Sequence, residues 1–188
     1  MAREKVLCGK EEIVRVAVSI VDKDGIEALT TKSLAQELRV SRMTMYNYVD
    51  NLNDIKKQVL TGGFDRLYEA VYQSLKSESP DGKISFCLTL AKSVFQFSMQ
   101  NKKMFAYMFS EGKYLFGEDA EIRPFYNFFA KFTKRASSPQ EYSENRTAYE
   151  LLDILVFSLS LQCASDIDKI SEAEFNEKVS FFLKKCLS

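Results

Sequence analysis

Apolar side chains recur at three- and four-residue intervals along most of the chain, which is the spacing of one face of an α-helix. The first stretch of this kind is formed by Ile13, Val16, Ala17, Ile20 and Val21. Gly25 follows it and is placed to end the helix. No stretch shows the sustained apolar and polar alternation of a half-buried strand. The pattern predicts an all-α protein.

Two short helices joined by a tight turn are predicted within the segment from Leu29 to Ile55. Thr30 or Thr31 can cap the first helix, which ends near Arg39 and has one apolar face formed by Leu34, Ala35 and Leu38. Ser41 can cap the second helix, whose outward residues are Arg42, Met43, Thr44, Asn47 and Tyr48. The pattern is typical of a helix-turn-helix, and its second helix would present these side chains to a DNA groove.

The sequence LTTKSLAQELRVSRMTMYNYV, which begins at Leu29, resembles the DNA-binding head of the TetR (tetracycline-repressor-like) family. The Leu-Ala pair, the Val-Ser at the turn, Thr44 and Tyr46 stand at the family's spacing. The resemblance implies an N-terminal three-helix head over residues 1–51, and a helical ligand-binding and dimerisation body over residues 52–188. The family usually has Gly where Arg39 stands, and a phosphate-binding Lys where Leu52 stands.

The outward face of the second helix carries side chains able to read base edges, because Arg pairs with guanine and Asn with adenine. Lys32 matches a family position that can also reach a base edge, and Thr44 and Tyr46 match positions that bind phosphate. An ordinary polar helix surface is the alternative. The expected DNA-binding residues are Thr31, Lys32, Arg42, Met43, Thr44, Tyr46, Asn47 and Tyr48.

A long fourth helix is predicted after Asn51, which can cap it. Gly62 and Gly63 interrupt that helix, either for close packing against a neighbour or as a hinge. The segment SESPDGK, which begins at Ser77, predicts a loop between this helix and the body. Body helices are then expected at roughly residues 83–100, 103–110, 119–136, 144–165 and 171–187.

The body is rich in Phe, Tyr and Met, most of which must fill its core. By resemblance to the family, some are expected to line a pocket for a small apolar or aromatic effector, namely Phe64, Phe95, Met99, Phe105, Met108, Phe109, Phe125 and Phe129. Two apolar stripes near the C-terminus are expected either to pair with a second copy or to be buried within one subunit. The expected dimer residues are Leu151, Leu155, Leu159, Phe175, Val179 and Phe182.

Composition narrows the possible functions. The 188 residues include 46% hydrophobic and 28% charged side chains, without an N-terminal apolar segment or a run of ~20 apolar residues, so we expect a cytoplasmic protein outside the membrane. The four cysteines form no CxxC pair, and the chain has no histidine, so neither a metal site nor another cofactor nor catalysis is expected. The net charge is zero, and the segment from Thr30 to Leu60 has only a small surplus of positive charge. Few phosphate contacts, and hence modest non-specific DNA binding, are expected.

The sequence therefore predicts a homodimeric, non-enzymatic transcriptional regulator. We interpret it as a repressor that binds an inverted-repeat operator in double-stranded DNA and releases it when an effector occupies the body. The alternative is a helical small-molecule-binding protein whose head has weakened or lost DNA binding.

Overall fold

The computed structural model describes residues 9–46, 51–111, 128–167 and 169–187, and within these residues the chain is helical and contains no strand. The predicted all-α class is confirmed. The helices, numbered among the described residues, are α1 Lys10–Asp24, α2 Thr31–Glu37, α3 Arg42–Tyr46, α4 Leu52–Glu78, α5 Gly82–Gln100, α6 Lys102–Ala106, α7 Phe128–Ala136, α8 Pro139–Ala164 and α9 Glu172–Cys186. A 3-10 turn, Ile26–Ala28, follows α1, and a π-helical turn, Tyr107–Glu111, follows α6.

The helix α4 packs against α1 of the head and against α5 and the π-helical turn of the body. The side chain of Asn51 accepts a hydrogen bond from the Asp54 N–H at 2.9 Å, so the predicted cap is confirmed. Residues buried along α4 are Ile55, Val59, Leu60, Gly63, Phe64, Leu67 and Val71. Because α4 contributes to the core beneath both parts, the expected division at residues 51 and 52 stays a prediction.

Polar contacts also join the end of α1 to α4 and α6. The guanidinium of Arg66 on α4 forms an ion pair with Asp22 at 2.7 Å and donates to the side-chain oxygen of Asn101. The ammonium group of Lys103 on α6 donates to the carbonyl oxygen of Lys23, in the last turn of α1. These contacts hold the head against the body.

Two body helices begin or end differently from the sequence expectation. The helix expected from residue 144 begins at Pro139, because the Ser138 hydroxyl accepts from the Glu141 N–H at 3.2 Å and proline is tolerated in a first turn. The helix expected over residues 103–110 ends at Ala106 and continues as the π-helical turn. The expected helix from residue 119 is described only from Phe128, and its earlier part lies outside the described residues.

The helix α8 is the one described helix that is long and apolar enough to cross a membrane on length and composition alone. Core helices of soluble proteins meet the same criterion, and 44% of its most apolar window is buried inside the protein.

A buried carboxylate, Asp153, lies on helix α8 and accepts a hydrogen bond from the Phe129 N–H at 3.2 Å. Burial raises the pKa of Asp153 to about 7. Its contact with the backbone of α7 fixes the two helices together.

The two adjacent glycines of α4 have different surroundings. A Cβ added at Gly63 would lie 2.9 Å from the sulfur of Met108 and 3.2 Å from the sulfur of Met104. At Gly62 such an atom would meet nothing within 4 Å. This contrast supports close packing, rather than a hinge, as the reason for glycine at position 63.

We predict that Gly62→Ala raises the free energy of unfolding by ~1 kcal/mol, because alanine restricts the unfolded chain and favours the helix. Gly63→Ala is expected to lower it by ~1–3 kcal/mol, because Met108 and Met104 are fully buried and have little room to move. Urea denaturation of the two variants measures the difference. Equal stabilisation by both alanines would contradict the packing role of Gly63.

Candidate nucleic-acid interface

The helix α2 begins with a reciprocal cap. The Thr30 hydroxyl accepts from the Ser33 N–H at 3.0 Å, and the Ser33 hydroxyl accepts from the Thr30 N–H at 3.0 Å. Thr30 is therefore the cap, and Thr31 is the first residue of the helix. The apolar face of α2 buries Leu34 and Ala35, so the polar side of this short helix stays at the surface.

The turn between α2 and α3 is a Schellman motif. Arg39 adopts a left-handed conformation with φ of 54°. The Val40 N–H donates to the Ala35 carbonyl at 3.1 Å, and the Arg39 N–H donates to the Gln36 carbonyl at 3.1 Å. Glycine adopts this backbone conformation more readily than any residue with a side chain. This is the physical reason for the glycine that the TetR family usually has at this position.

The helix α3 begins at a serine cap, as predicted. The Ser41 hydroxyl accepts from the Thr44 N–H at 3.0 Å, and the hydroxyls of Ser41 and Thr44 lie 2.8 Å apart. Arg42 and Met43 point away from the core, with 79% of Met43 exposed. Tyr46 is the last described residue of α3, and the predicted contacts Asn47 and Tyr48 lie outside the described residues.

Three exposed cations lie around the turn and have no ion-pair partner among the described residues. Lys32, Arg39 and Arg42 are exposed and form no ion pair within the described part of the chain. Thr31 lies beside Lys32 and is half-buried. Leu52, at the start of α4, is also half-buried and packs against the hydrophobic core. The helix-turn-helix unit therefore carries three cations without an ion pair in the described part of the chain, together with the exposed thioether of Met43.

The residues predicted to line an effector pocket fall into different places. We use the term aromatic cluster for Phe64, Phe105, Phe109, Phe129 and Phe157, whose rings contact one another in the body core. Met108 is buried beside Gly63, and Phe95 stacks on Phe175 of α9 with ring centres 4.2 Å apart. Met99 is 40% exposed, and Phe125 lies outside the described residues.

The residues predicted at a dimer interface divide between surface and core. Leu151 is exposed, and Leu155, Leu159 and Phe182 are half-buried. Phe175 and Val179 are fully buried within a single chain, so they have no surface left to offer a partner. Two apolar residues absent from the prediction, Ile154 on α8 and Phe181 on α9, are each 67% exposed. Helical spacing alone did not distinguish the positions that are buried within one subunit from those that are exposed on its surface.

The sequence analysis also missed three polar contacts of the body. Arg66 and Lys103 connect the body to α1 of the head, and Tyr107 connects the π-helical turn to α4. The Tyr107 hydroxyl donates to the Lys56 carbonyl in the second turn of α4 at 3.0 Å. The partners of Arg66 are 44 and 35 residues away in the chain. No local spacing signal predicts pairs that are so far apart in sequence.

The comparisons with known proteins agree with this architecture, although no protein-family model matches the chain. The chain is 25% identical over 89 residues to YobS, an uncharacterised HTH-type transcriptional regulator of Bacillus subtilis, which covers 47% of this chain and 45% of that protein. It is 37% identical over 41 residues to the tetracycline repressor protein class E of Escherichia coli, and this match covers 22% of this chain and 19% of that protein. The matched segments therefore span less than half the length of these relatives.

A solved structure matches almost the whole chain. It is a TetR-like transcriptional regulator from Rhodococcus sp. RHA1, with a TM-score of 0.65, 14% sequence identity and coverage of 95% of both chains. The helices and the capped turn define an all-α helix-turn-helix protein. More specifically, the chain has the fold of TetR-like regulators, and the resemblance predicted from the sequence is confirmed.

We predict that Arg39→Gly raises the free energy of unfolding by about 1 kcal/mol, because a left-handed conformation is costly for a residue with a side chain. Arg42→Gly is the control, since it also replaces an exposed arginine with glycine. Arg42 is the first residue of α3 and has no left-handed backbone, so this variant should not gain stability and should lower the free energy of unfolding by less than ~1 kcal/mol. Denaturant titration without DNA measures both. A destabilised Arg39→Gly variant would show that the arginine side chain stabilises the turn.

Proposed function

We propose that this protein is a DNA-binding transcriptional regulator whose helix α3 enters the major groove. The observation that carries the proposal is the set of exposed side chains, without ion pairs among the described residues, that two capped helices and a Schellman turn hold. Arg42 is suited to guanine, and the exposed side chain of Met43 is suited to apolar contact with a thymine methyl group. Lys32 and Thr31 lie at the start of α2 and would approach the flanking bases and the DNA backbone. Thr44 would approach them too.

The regulator is proposed to act as a homodimer. Leu151 and Ile154 lie three residues apart on α8, so they share a face, and Phe181 is exposed on α9, which packs against α8. Single exposed apolar residues are common, but three large ones on two packed helices favour contact with a second copy. A four-helix interface between two subunits would bury them, together with the outer edges of Leu155, Leu159 and Phe182.

We further propose that a small apolar or aromatic effector releases the DNA. The aromatic cluster and Met108 are adjacent to the part of the body that contacts α4, where Gly63 and the Tyr107 hydroxyl meet it. An effector that enters there would favour one placement of α4 over another, and α4 follows directly on the DNA-binding helices. Because the mechanism requires no reaction, we propose that the protein is not an enzyme. We also propose that it acts in the cytoplasm, where it would meet its operator DNA.

A second candidate function is small-molecule binding with weakened DNA binding. The observation that favours it is the position of Leu52, which packs its apolar side chain on the core where a phosphate-binding cation would otherwise stand. The net charge of zero favours it too. A salt-resolved DNA titration separates the two functions, because each neutralised phosphate adds ~0.9 to the slope of log affinity against log salt.

Selection of bound DNA from a random pool tests the proposed function. We expect an inverted repeat with half-site centres about 34 Å apart, or somewhat more. Arg42→Ala should relax base preference at one position per half-site and cost ~1–3 kcal/mol there. Arg15→Ala, which removes an arginine of α1 that pairs with Glu12 at 2.6 Å, should leave the sequence preference unchanged.

The variant Phe181→Lys tests the proposed dimer in the same experiment. Because the lysine places a charge in the proposed interface, the variant should sediment as a monomer and should no longer prefer the inverted repeat. Its subunit should stay folded, because position 181 is exposed. Failure to enrich any sequence would contradict DNA binding. Enrichment of a single half-site by a monomeric wild-type protein would contradict the dimer alone.

A further inference from the structure

A cavity of about 260 Å³ lies in the body where the loop between α4 and α5 meets α7 and α8. Its volume is just below the ~300–1,000 Å³ of ordinary small-molecule sites, so it suits a small ligand. It is distinct from the aromatic cluster, because the two share no residue. Six of its lining residues carry the argument, namely Lys83, Phe86, Cys87, Ser137, Glu141 and Tyr149.

Tyr149 contributes a buried hydroxyl to this cavity. The residue is 2% exposed, its ring stacks on Tyr142, and among the described residues its hydroxyl has no partner at good hydrogen-bond geometry. Burial is the main cause that raises the pKa of Tyr149, and the side chain of Ser137, a weak hydrogen-bonding neighbour, acts in the opposite direction. Buried polar groups almost always have a partner, because an unpaired one loses its hydration without compensation. The hydroxyl therefore points to a ligand group that accepts its hydrogen bond.

The cavity also carries one charge of each sign. Lys83 lies in the first turn of α5, near the positive end of the helix dipole, and Glu141 lies in the first turn of α8. Neither side chain forms an ion pair among the described residues, and both are half-buried. Between them the wall is weakly polar, because it contains the ring of Phe86 and the thiol of Cys87, whose pKa is raised to about 12 by burial.

We propose that this cavity binds a small zwitterion of the α-amino acid class. The ligand carboxylate pairs with the Lys83 ammonium group and accepts a hydrogen bond from the Tyr149 hydroxyl. The ligand ammonium group pairs with the Glu141 carboxylate, and a short side chain packs on Phe86. A zwitterion fits better than a simple anion or cation, because either of those would leave one of the two opposite charges unpaired and face the other's repulsion.

The experiment uses the full-length protein without DNA, so its result does not depend on the proposed regulatory function. Each of the twenty common L-amino acids is added in turn, and the melting temperature and heat of binding are measured. We expect at least one amino acid to bind. Its analogues that lack either the amino group or the carboxyl group should bind at least about tenfold more weakly, because each loses a charge-assisted pair. Equal binding of either analogue, or binding by no amino acid, would overturn the proposal.

Three variants test the roles of the named side chains. Lys83→Met and Glu141→Gln should each raise the dissociation constant about tenfold or more. Tyr149→Phe should raise it about three- to tenfold, with little effect on the melting temperature of the free protein, because Ser137 is only a weak partner of the hydroxyl. Lys92→Met on the same helix and Tyr142→Phe are controls that should bind like the wild type, since neither residue lines the cavity. Unchanged binding in the three site variants, or a destabilised free Tyr149→Phe protein, would overturn the assignment.

Discussion

The burial of α4 against both α1 and the body is the interaction on which the rest of the structure depends. Its apolar residues, from Ile55 to Val71, belong to a single hydrophobic core that continues from the head into the body. Gly63 permits the close approach of the two methionines, and the ion pair of Arg66 with Asp22 fixes α1 along the same helix. These contacts of α4 therefore link the packing of the body to the packing of α1.

Local features of the head were predictable because each depends on neighbours in the chain. Caps at Thr30, Ser41 and Asn51 join residues three positions apart, so their sequence spacing is enough to find them. The resemblance at Arg39 indicated a turn that favours glycine, and the left-handed backbone there gives the physical reason. The fold class followed from the helical period, which the long body helices show clearly.

Features that join distant parts of the chain were not predictable in this way. Periodicity identified Phe175 and Val179 as apolar stripe residues, but it did not distinguish a face packed inside the subunit from one free to meet a partner. The cavity at Tyr149 brings together four segments of the chain, and its polar residues follow no local motif. The expected effector pocket was inferred from aromatic content, which describes a packed core as well as a lined cavity.

If head and body share one cooperative core through α4, they should unfold together, and native-state hydrogen exchange measures this. We expect the buried amides of α1, such as those of Ile13 and Ala17, to exchange with nearly the same free energy of opening as those of Val59 and Leu67 in α4 and Leu90 in α5. Increasing denaturant should leave these values together. An α1 that opens at a much lower free energy, while α4 and α5 stay protected, would show that the head and the body do not share one cooperative core.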